Sequence, residues 1–306
     1  MVLKLDRRIA ACYTFGWFWS VFWAARGNSY FAVAGVFFFL LLQLRWIRNT
    51  DISEYMQDRI LVALSIPLGC LVEMFLQMTG SIVYAHTSLF PPPWILGLYP
   101  LFILAFTHSL RCIQAHTLLC FTVGLVGGPL SYQAGMAFGV ELTFLQPTWF
   151  ALCVIGVSWG AFLCLLAKCV HTVQIAVDAT LQDQKAMDRL DLLYDGACPI
   201  CRREICLLQK KAHSQIHYVD ISSKEFLQFG YRGIDSQTAM TQIHAIDEKG
   251  HILVGIPVFA AIYARSGYWI ASTLLRIPCI QTILQPLYRL FAKNRLWFSG
   301  RETHRN

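Results

Sequence analysis

Charge is scarce in the first half of this chain: between Ile60 and Ala167 only Glu73, Arg111 and Glu141 carry a formal charge. Across the whole sequence 14% of residues are charged and 56% are apolar, where an ordinary soluble domain carries about 25% charged residues. The deficit excludes a water-soluble fold for that half. From Lys185 onward charge returns at ordinary density, so a membrane-embedded half is expected to give way to a soluble one. The net charge is +7, but no short dense Lys/Arg block with interleaved aromatics is present. Nucleic acid is therefore not expected as a partner. No small-residue cleavage site follows the basic residues at 4–8, so the first apolar segment is expected to stay in the membrane rather than leave as a signal peptide.

What is present is a series of apolar runs. A helix needs about 20 mostly apolar residues, and no fewer than about 17, to cross the hydrocarbon core. Ile9–Ala25, Gly27–Leu44, Ile60–Thr79, Trp94–Leu110, His116–Val140 and Pro147–Ala167 are six candidates. The fifth holds five glycines and Pro129, which weighs a kinked or re-entrant passage against a full span. Its Gly124/Gly128 and Gly135/Gly139 pairs have the small-xxx-small spacing that lets helices approach closely. With six spans one side receives Lys4, Arg7, Arg8, Arg45, Arg48, Arg59, Arg111 and Lys168, and the other Arg26 alone. That asymmetry predicts both ends on the cytoplasmic side, and a bacterial-type inner-membrane protein is expected. Glu73 inside the third span is a functional candidate because ionisable side chains are costly there, with a structural polar contact, for instance to Gln77, as the alternative. His108, Arg111 and His116 read as interfacial anchors.

Eleven cysteines suggest a disulfide framework until they are placed. Cys12, Cys70, Cys112, Cys120, Cys153, Cys164 and Cys169 lie in or beside apolar runs, where a free cysteine is usually a small buried hydrophobe. In the second half Cys198 and Cys201 form one C-x-x-C pair, and Cys206 reads as packing. A zinc site would want a second such pair or a matched Cys/His pair, and only Cys206, His213, His217 and Cys279 are scattered nearby. No metal and no cofactor beyond a redox-active disulfide is expected.

His171–Asp188 reads as a helical connector. Short alternating elements follow: a strand at Leu190–Tyr194 stopped by Asp195-Gly196, a helix at Arg202–Ala212 burying Ile205, Leu207 and Leu208, and a strand at Ile216–Ile221. A short helix at Ser223–Phe229 comes next, then a hairpin of Gln242–Ile246 and Ile252–Val254 around Asp247-Glu248-Lys249-Gly250, then a helix from Pro257 to Arg265. This is the element order of a thioredoxin core, with the C-x-x-C at the first strand–helix junction. A cysteine there is activated as its thiolate by converging backbone amides and the helix dipole. Cys198 is expected to be the more exposed, attacking sulfur, and Cys201, one turn on, the resolving one. Arg202 and Arg203 add positive charge.

The run Leu193-Tyr194-Asp195-Gly196-Ala197-Cys198-Pro199-Ile200-Cys201 resembles the opening signature of the DCC family of predicted thiol–disulfide oxidoreductases, Y-D-G-x-C-P-x-C. Tyr288–Arg295 is similar to that family's closing run, and Asp247, Gly250 and Gly255 fit its central D-x-x-G…G hairpin. The resemblance covers about 190–296 and implies redox roles for Cys198 and Cys201, with Asp195 assisting proton transfer. It departs from thioredoxins proper in that Ser236–Thr241 holds no proline where those proteins place a cis-proline opposite the redox pair. Residues 10–168 resemble, through Pro93-Trp94, Gly128–Gly135 and the acid of the third span, a small bacterial membrane-domain family of unknown function.

The expected architecture is a membrane α-helical bundle of about six transmembrane helices (1–170), a helical linker (171–188), an α/β thioredoxin-like domain (189–298) and a tail (299–306). The expected function is that of a membrane-anchored thiol–disulfide oxidoreductase, its partners the lipid bilayer and a thiol or disulfide substrate or electron donor. The alternative is a transporter or scaffold with a regulatory or metal-binding C-x-x-C domain. The apolar Tyr268–Phe298 stretch either lies on the membrane surface or completes the core, its first half favouring core.

Overall fold

A computed structural model of the chain describes residues 2–48, 51–85, 90–186, 188–209 and 215–298. The chain divides into two compact units, Met1–Gln174 and Ile175–Asn306. In the first, the elements are α1 (Val2–Ala24), α2 (Ser29–Ile47), α3 (Ile52–Met78), β1 (Val83–Tyr84), α4 (Pro93–His108), α5 (Arg111–Gln114), α6 (Thr117–Ala137), β2 (Leu142–Thr143) and α7 (Thr148–Lys185), whose last turns belong to the second unit. The breaks follow local chemistry. Gly27, at φ +70°, turns the chain after α1, and the Asn28 side chain caps α2 by accepting the Phe31 N–H at 3.4 Å. Asp51 caps α3 by accepting the Ser53 N–H at 3.0 Å. Pro93 opens α4, where its missing N–H costs nothing.

Among the described residues, three helices are long and apolar enough to cross a membrane, namely α2, α3 and α7, and α4 is a shorter apolar helix. The segment open to either a kinked or re-entrant passage or a full span is the helix α6, with Pro129 in its interior. Its packing on α7 is fixed by glycines on both helices. A Cβ at Gly124 would collide with the Trp159 carbonyl and the Gly160 amide, and one at Gly156 would sit 2.6 Å from the Leu125 carbonyl oxygen. The Gly135/Gly139 pair does not act this way: Gly139 lies beyond the helix at φ +92°, and Gly135 meets nothing nearer than Val140 at 3.9 Å. Gly156 and Gly160 on α7 complete the seam instead.

The anchoring role expected for His108 is also corrected. It is 2% exposed and bonds Asp58 of α3 at 2.8 Å, because apolar helices leave no water at that depth and a buried ionisable group must find a partner inside. Arg111 keeps an exposed position and pairs with Glu54 at 3.0 Å. Of the seven membrane-half cysteines only Cys12 and Cys120 are buried, while Cys112 and Cys153 are exposed.

In the second unit the order is β3 (Leu190–Tyr194), α8 (Pro199–Gln209), β4 (Ile216–Asp220), α9 (Lys224–Phe229), α10 (Ser236–Thr241), β5 (His244–Ile246), β6 (Ile252–Val254), α11 (Ile256–Arg265), α12 (Trp269–Arg276) and α13 (Pro278–Phe298). The four strands form one mixed sheet ordered β4-β3-β5-β6. β3 and β4 run parallel, in a register that sets Tyr194 beside Asp220, and β5 is antiparallel to both β3 and β6. Gly250, at φ +86°, makes the hairpin turn.

One face of the sheet buries Leu190, Leu192 and Ala245 against Ile205 and Leu208 of α8 and Val258, Ala261 and Ile262 of α11. The other buries Leu193 and Ile246 against Phe226, Ile234 and Ala239. Each Val, Leu, Ile or Phe among them contributes about 1.5–3 kcal/mol by leaving water. Leu207, expected in that core, is 51% exposed. It follows Cys206 on the outer side of α8, and the helical period buries Ile205 and Leu208 only. Asp183, near the end of α7, accepts from Arg265 at 2.7 Å and pairs with Arg276, tying that end to α11 and α12. The tail at 299–306 and His213 lie outside the described residues.

Candidate active site

The turn between β3 and α8 is built by two aspartates. Asp195, 2% exposed, accepts the Ala197 N–H on Oδ1 at 3.0 Å and the Cys198 N–H on its carbonyl at 3.1 Å. Asp220, carried alongside by the parallel register, takes three bonds on one oxygen: the Gly196 N–H at 2.9 Å, the Ser222 N–H at 2.8 Å and the Ser222 hydroxyl at 2.7 Å. Burial pushes the Asp220 carboxyl up, but these donors outweigh it and hold the group below the usual carboxylate range. A Cβ at Gly196 would run into the Asp220 carboxylate, so a larger residue here would displace that carboxylate from the turn. The chain thereby closes back on itself within three residues of the strand.

Cys198 follows as the residue that caps α8, its carbonyl accepting the first helical bond from the Arg202 N–H at 2.9 Å. Pro199 sits in the first helical position, and Cys201 lies one turn in, near Cys198. The exposures reverse the expectation. Cys198 is fully buried at 0%, and Cys201 is the half-buried one. The Asp195–Cys198 turn draws the capping residue under the start of the helix, whereas Cys201 points to a cavity. Cys206 is exposed rather than packed.

That cavity holds about 350 Å³ and is lined by Asp195 and Cys201 together with Glu204, Phe259, Tyr263 and Tyr288 among others. Tyr263 donates its hydroxyl to Glu204 at 2.8 Å. Burial, with Glu204 beside it, pushes the Tyr263 phenol well up, so it stays a donor. Tyr288 of α13 accepts the Ile243 N–H at 2.8 Å, and Gln285 one turn earlier accepts the Ile256 N–H at 3.0 Å. The first half of α13 is therefore part of the domain, while Ile283, Leu287 and Leu290 stay exposed. Among the described residues no group of three or more His, Cys, Asp or Glu side chains is placed to hold a metal ion.

Residues 192–301 match the DCC1-like thiol-disulfide oxidoreductase family, and residues 8–165 match a family of unknown function, DUF2878. The chain belongs to DUF2878 and carries a DCC1-like domain. An uncharacterized chloroplastic protein of Arabidopsis thaliana is 35% identical over 115 residues, which are 37% of this chain and 54% of that protein. The chain thus spans about half the length of this curated relative. No solved structure matches the chain at a significant level.

Asp220 and Gly196 organise the DCC1-like turn, yet Asp220 was not singled out from the sequence. Its only signal there is an aspartate closing the second strand. Glu73 of the DUF2878 region is fully buried at 0%. It accepts hydrogen bonds from Tyr84, Tyr99 and Tyr132, three residues that the sequence pattern did not connect to it.

Proposed function

We propose that this protein is a membrane-anchored thiol–disulfide oxidoreductase whose Cys198–Cys201 pair passes two electrons to or from a small thiol or disulfide substrate. The observation that carries the reading is the placement of the pair in the first turn of a helix that leaves a central strand, with one sulfur on a cavity. A parallel β3–β4 pair followed by an antiparallel hairpin and α11 supports a thioredoxin-like domain over 189–298.

The two sulfurs are placed differently. Cys198 occupies the cap of α8, its carbonyl accepting the first helical bond. Cys201 is the sulfur that an incoming molecule meets, because it alone of the two lines the cavity. In the reducing direction the Cys201 thiolate attacks one sulfur of a substrate disulfide and displaces the other as a thiolate. Cys198, as thiolate, then attacks the Cys201 sulfur, closes the intramolecular disulfide and releases the second substrate thiolate. The protein loses two electrons, the substrate gains them, and the two thiol protons pass to the leaving groups. Asp195, on the same cavity, is assigned to that proton movement.

Six spans is our reading of the charge pattern: α2, α3 and α7 are long and apolar enough to cross, and α1, α4 and α6 are the further helices assigned to the remaining passages. The eight-to-one positive asymmetry then favours an inner-membrane protein with its dithiol in the cytoplasm, where glutathione keeps most pairs reduced and favours the reducing direction. Trapping tests the chemistry. In membranes, Cys198→Ser is expected to accumulate a mixed disulfide on Cys201 with a small aromatic disulfide. Mixed disulfide found on Cys198 in Cys201→Ser and absent from Cys198→Ser contradicts the assignment of roles. A reporter fused after residue 185 tests the side.

A further inference from the structure

The DUF2878 region holds a second site that the dithiol chemistry does not use. Glu73 of α3 accepts the Tyr99 hydroxyl at 2.9 Å and the Tyr132 hydroxyl at 2.6 Å on Oε1. Its Oε2 accepts the Tyr84 hydroxyl at 2.9 Å. The donors come from β1, α4 and α6, so the fold converges three separate elements on one carboxylate. The carboxylate borders a cavity of about 60 Å³ walled by Trp17, Trp94, Phe102 and Trp159. Trp94 meets the Tyr84 ring edge-on at 6.3 Å and 87°, and Trp159 stacks on Tyr99 at 5.8 Å and 16°. Two of the three phenols are thus held by an indole.

We propose that this cavity binds a small primary ammonium ion of methylammonium size, with Glu73 as its counter-ion. An ionised carboxylate has about four acceptor directions. The phenols occupy three, which leaves one for a ligand. Each phenol spends its proton on Glu73, the buried Trp159 indole N–H adds one neutral donor to the lining, and the lining contains no Lys, Arg or His. The carboxylate and phenol oxygens can therefore accept hydrogen bonds, and no cationic side chain in the lining offsets Glu73. A ligand that donates and is positive matches those oxygens and holds the carboxylate in its ionised form. The walls narrow the class further, because aromatic faces attract a cation and also tolerate an apolar substituent on it, whereas Mg²⁺ or Ca²⁺ demands a shell of six or more oxygens. At about 30 Å³ per water-sized group the cavity has room for about two heavy atoms, the size of CH₃–NH₃⁺. The proposal also accounts for the placement of the acid, since a carboxylate among apolar helices is costly unless a cation offsets it.

The test uses the full chain in lipid nanodiscs and methylammonium chloride as the probe, at ionic strength fixed with sodium chloride. Tryptophan fluorescence is the readout, since Trp17, Trp94 and Trp159 line the cavity. The expected result is a saturable change with methylammonium that neither methanol nor added sodium reproduces. Glu73→Gln is expected to weaken binding more than tenfold. Tyr84→Phe, which keeps the ring, is expected to weaken it severalfold, and it serves if the Gln variant does not fold. No saturable change, an equal response to methanol or sodium, or unaltered affinity in both variants overturns the proposal.

Discussion

Replacing Asp220 by Asn isolates the charge that holds the active-site turn. The substitution keeps the shape and one acceptor oxygen, so Gly196 and Ser222 retain a partner while the three bonds on that oxygen lose their ionic character. Hydrogen bonds to a charged group are worth about 1.5–3 kcal/mol and neutral ones about 0.5–1.5 kcal/mol. Three bonds weakened by roughly 1 kcal/mol each, reduced for the partial exposure of the group, give a loss of about 1–2 kcal/mol. The sign with pH follows from the lowered carboxyl of Asp220. Its folded value lies below the unfolded value of about 3.9. The contribution is therefore complete above that pH and disappears as pH falls through the folded value. Urea unfolding of the detergent-solubilised chain, followed by hydrogen exchange of the peptide spanning 192–200, reads the difference. Wild type is expected to exceed Asp220→Asn at pH 7 and to converge with it at low pH. A gap that stays constant down to pH 3, or that is absent at pH 7, refutes the reasoning.

Three further outcomes are expected. Gly124→Ala forces α6 away from the Trp159 carbonyl and should cost about 1–3 kcal/mol. Gly127→Ala on the same helix, where nothing lies within 4 Å of the added methyl, should be neutral or slightly stabilising, and thermal melts of the two variants check the contrast. His244 is 4% exposed, and burial lowers its pKa despite the Gln242 carbonyl beside it. The unfolded chain therefore takes up a proton below about pH 6.5 that the folded one refuses. Stability should fall from pH 7 toward pH 5, and His244→Gln should flatten that slope. Asp183→Ala removes the 2.7 Å partner of the 4%-exposed Arg265 side chain but leaves Asp188 at 3.5 Å, so it should cost less than stranding a buried charge outright, about 1–3 kcal/mol, readable as a drop in the urea midpoint.

Much of the fold was legible because local chemistry wrote it. The loss and return of charge separated the two halves, and Asp195-Gly196 and Asp247–Gly250 ended strands by turn chemistry that needs no distant partner. The closing Tyr288 run, quoted for its resemblance, became the wall of the cavity beside Cys201. The misses lie where tertiary partners decide. Asp220 reaches Gly196 only through the β3–β4 register, which no residue spacing encodes. Glu73 finds tyrosines 11, 26 and 59 positions away along the chain. The helix α10 begins at a cap, Asp235 accepting the Thr238 N–H at 2.7 Å, but six residues carry too little periodicity to be read. The relative exposure of Cys198 and Cys201 depends on how tightly the preceding turn folds back, and that is set by the buried Asp195 and the half-buried Asp220 rather than by the C-x-x-C itself.

The most direct test of the central claim is a redox titration of the full chain in its membrane against graded ratios of reduced to oxidised glutathione, with Cys198 and Cys201 alkylated and counted by mass at each point. The account predicts that both sulfurs leave and re-enter the alkylated pool together, in one reversible two-electron transition. Two thiols that stay alkylatable at every ratio, or that oxidise independently to glutathione adducts, contradict it.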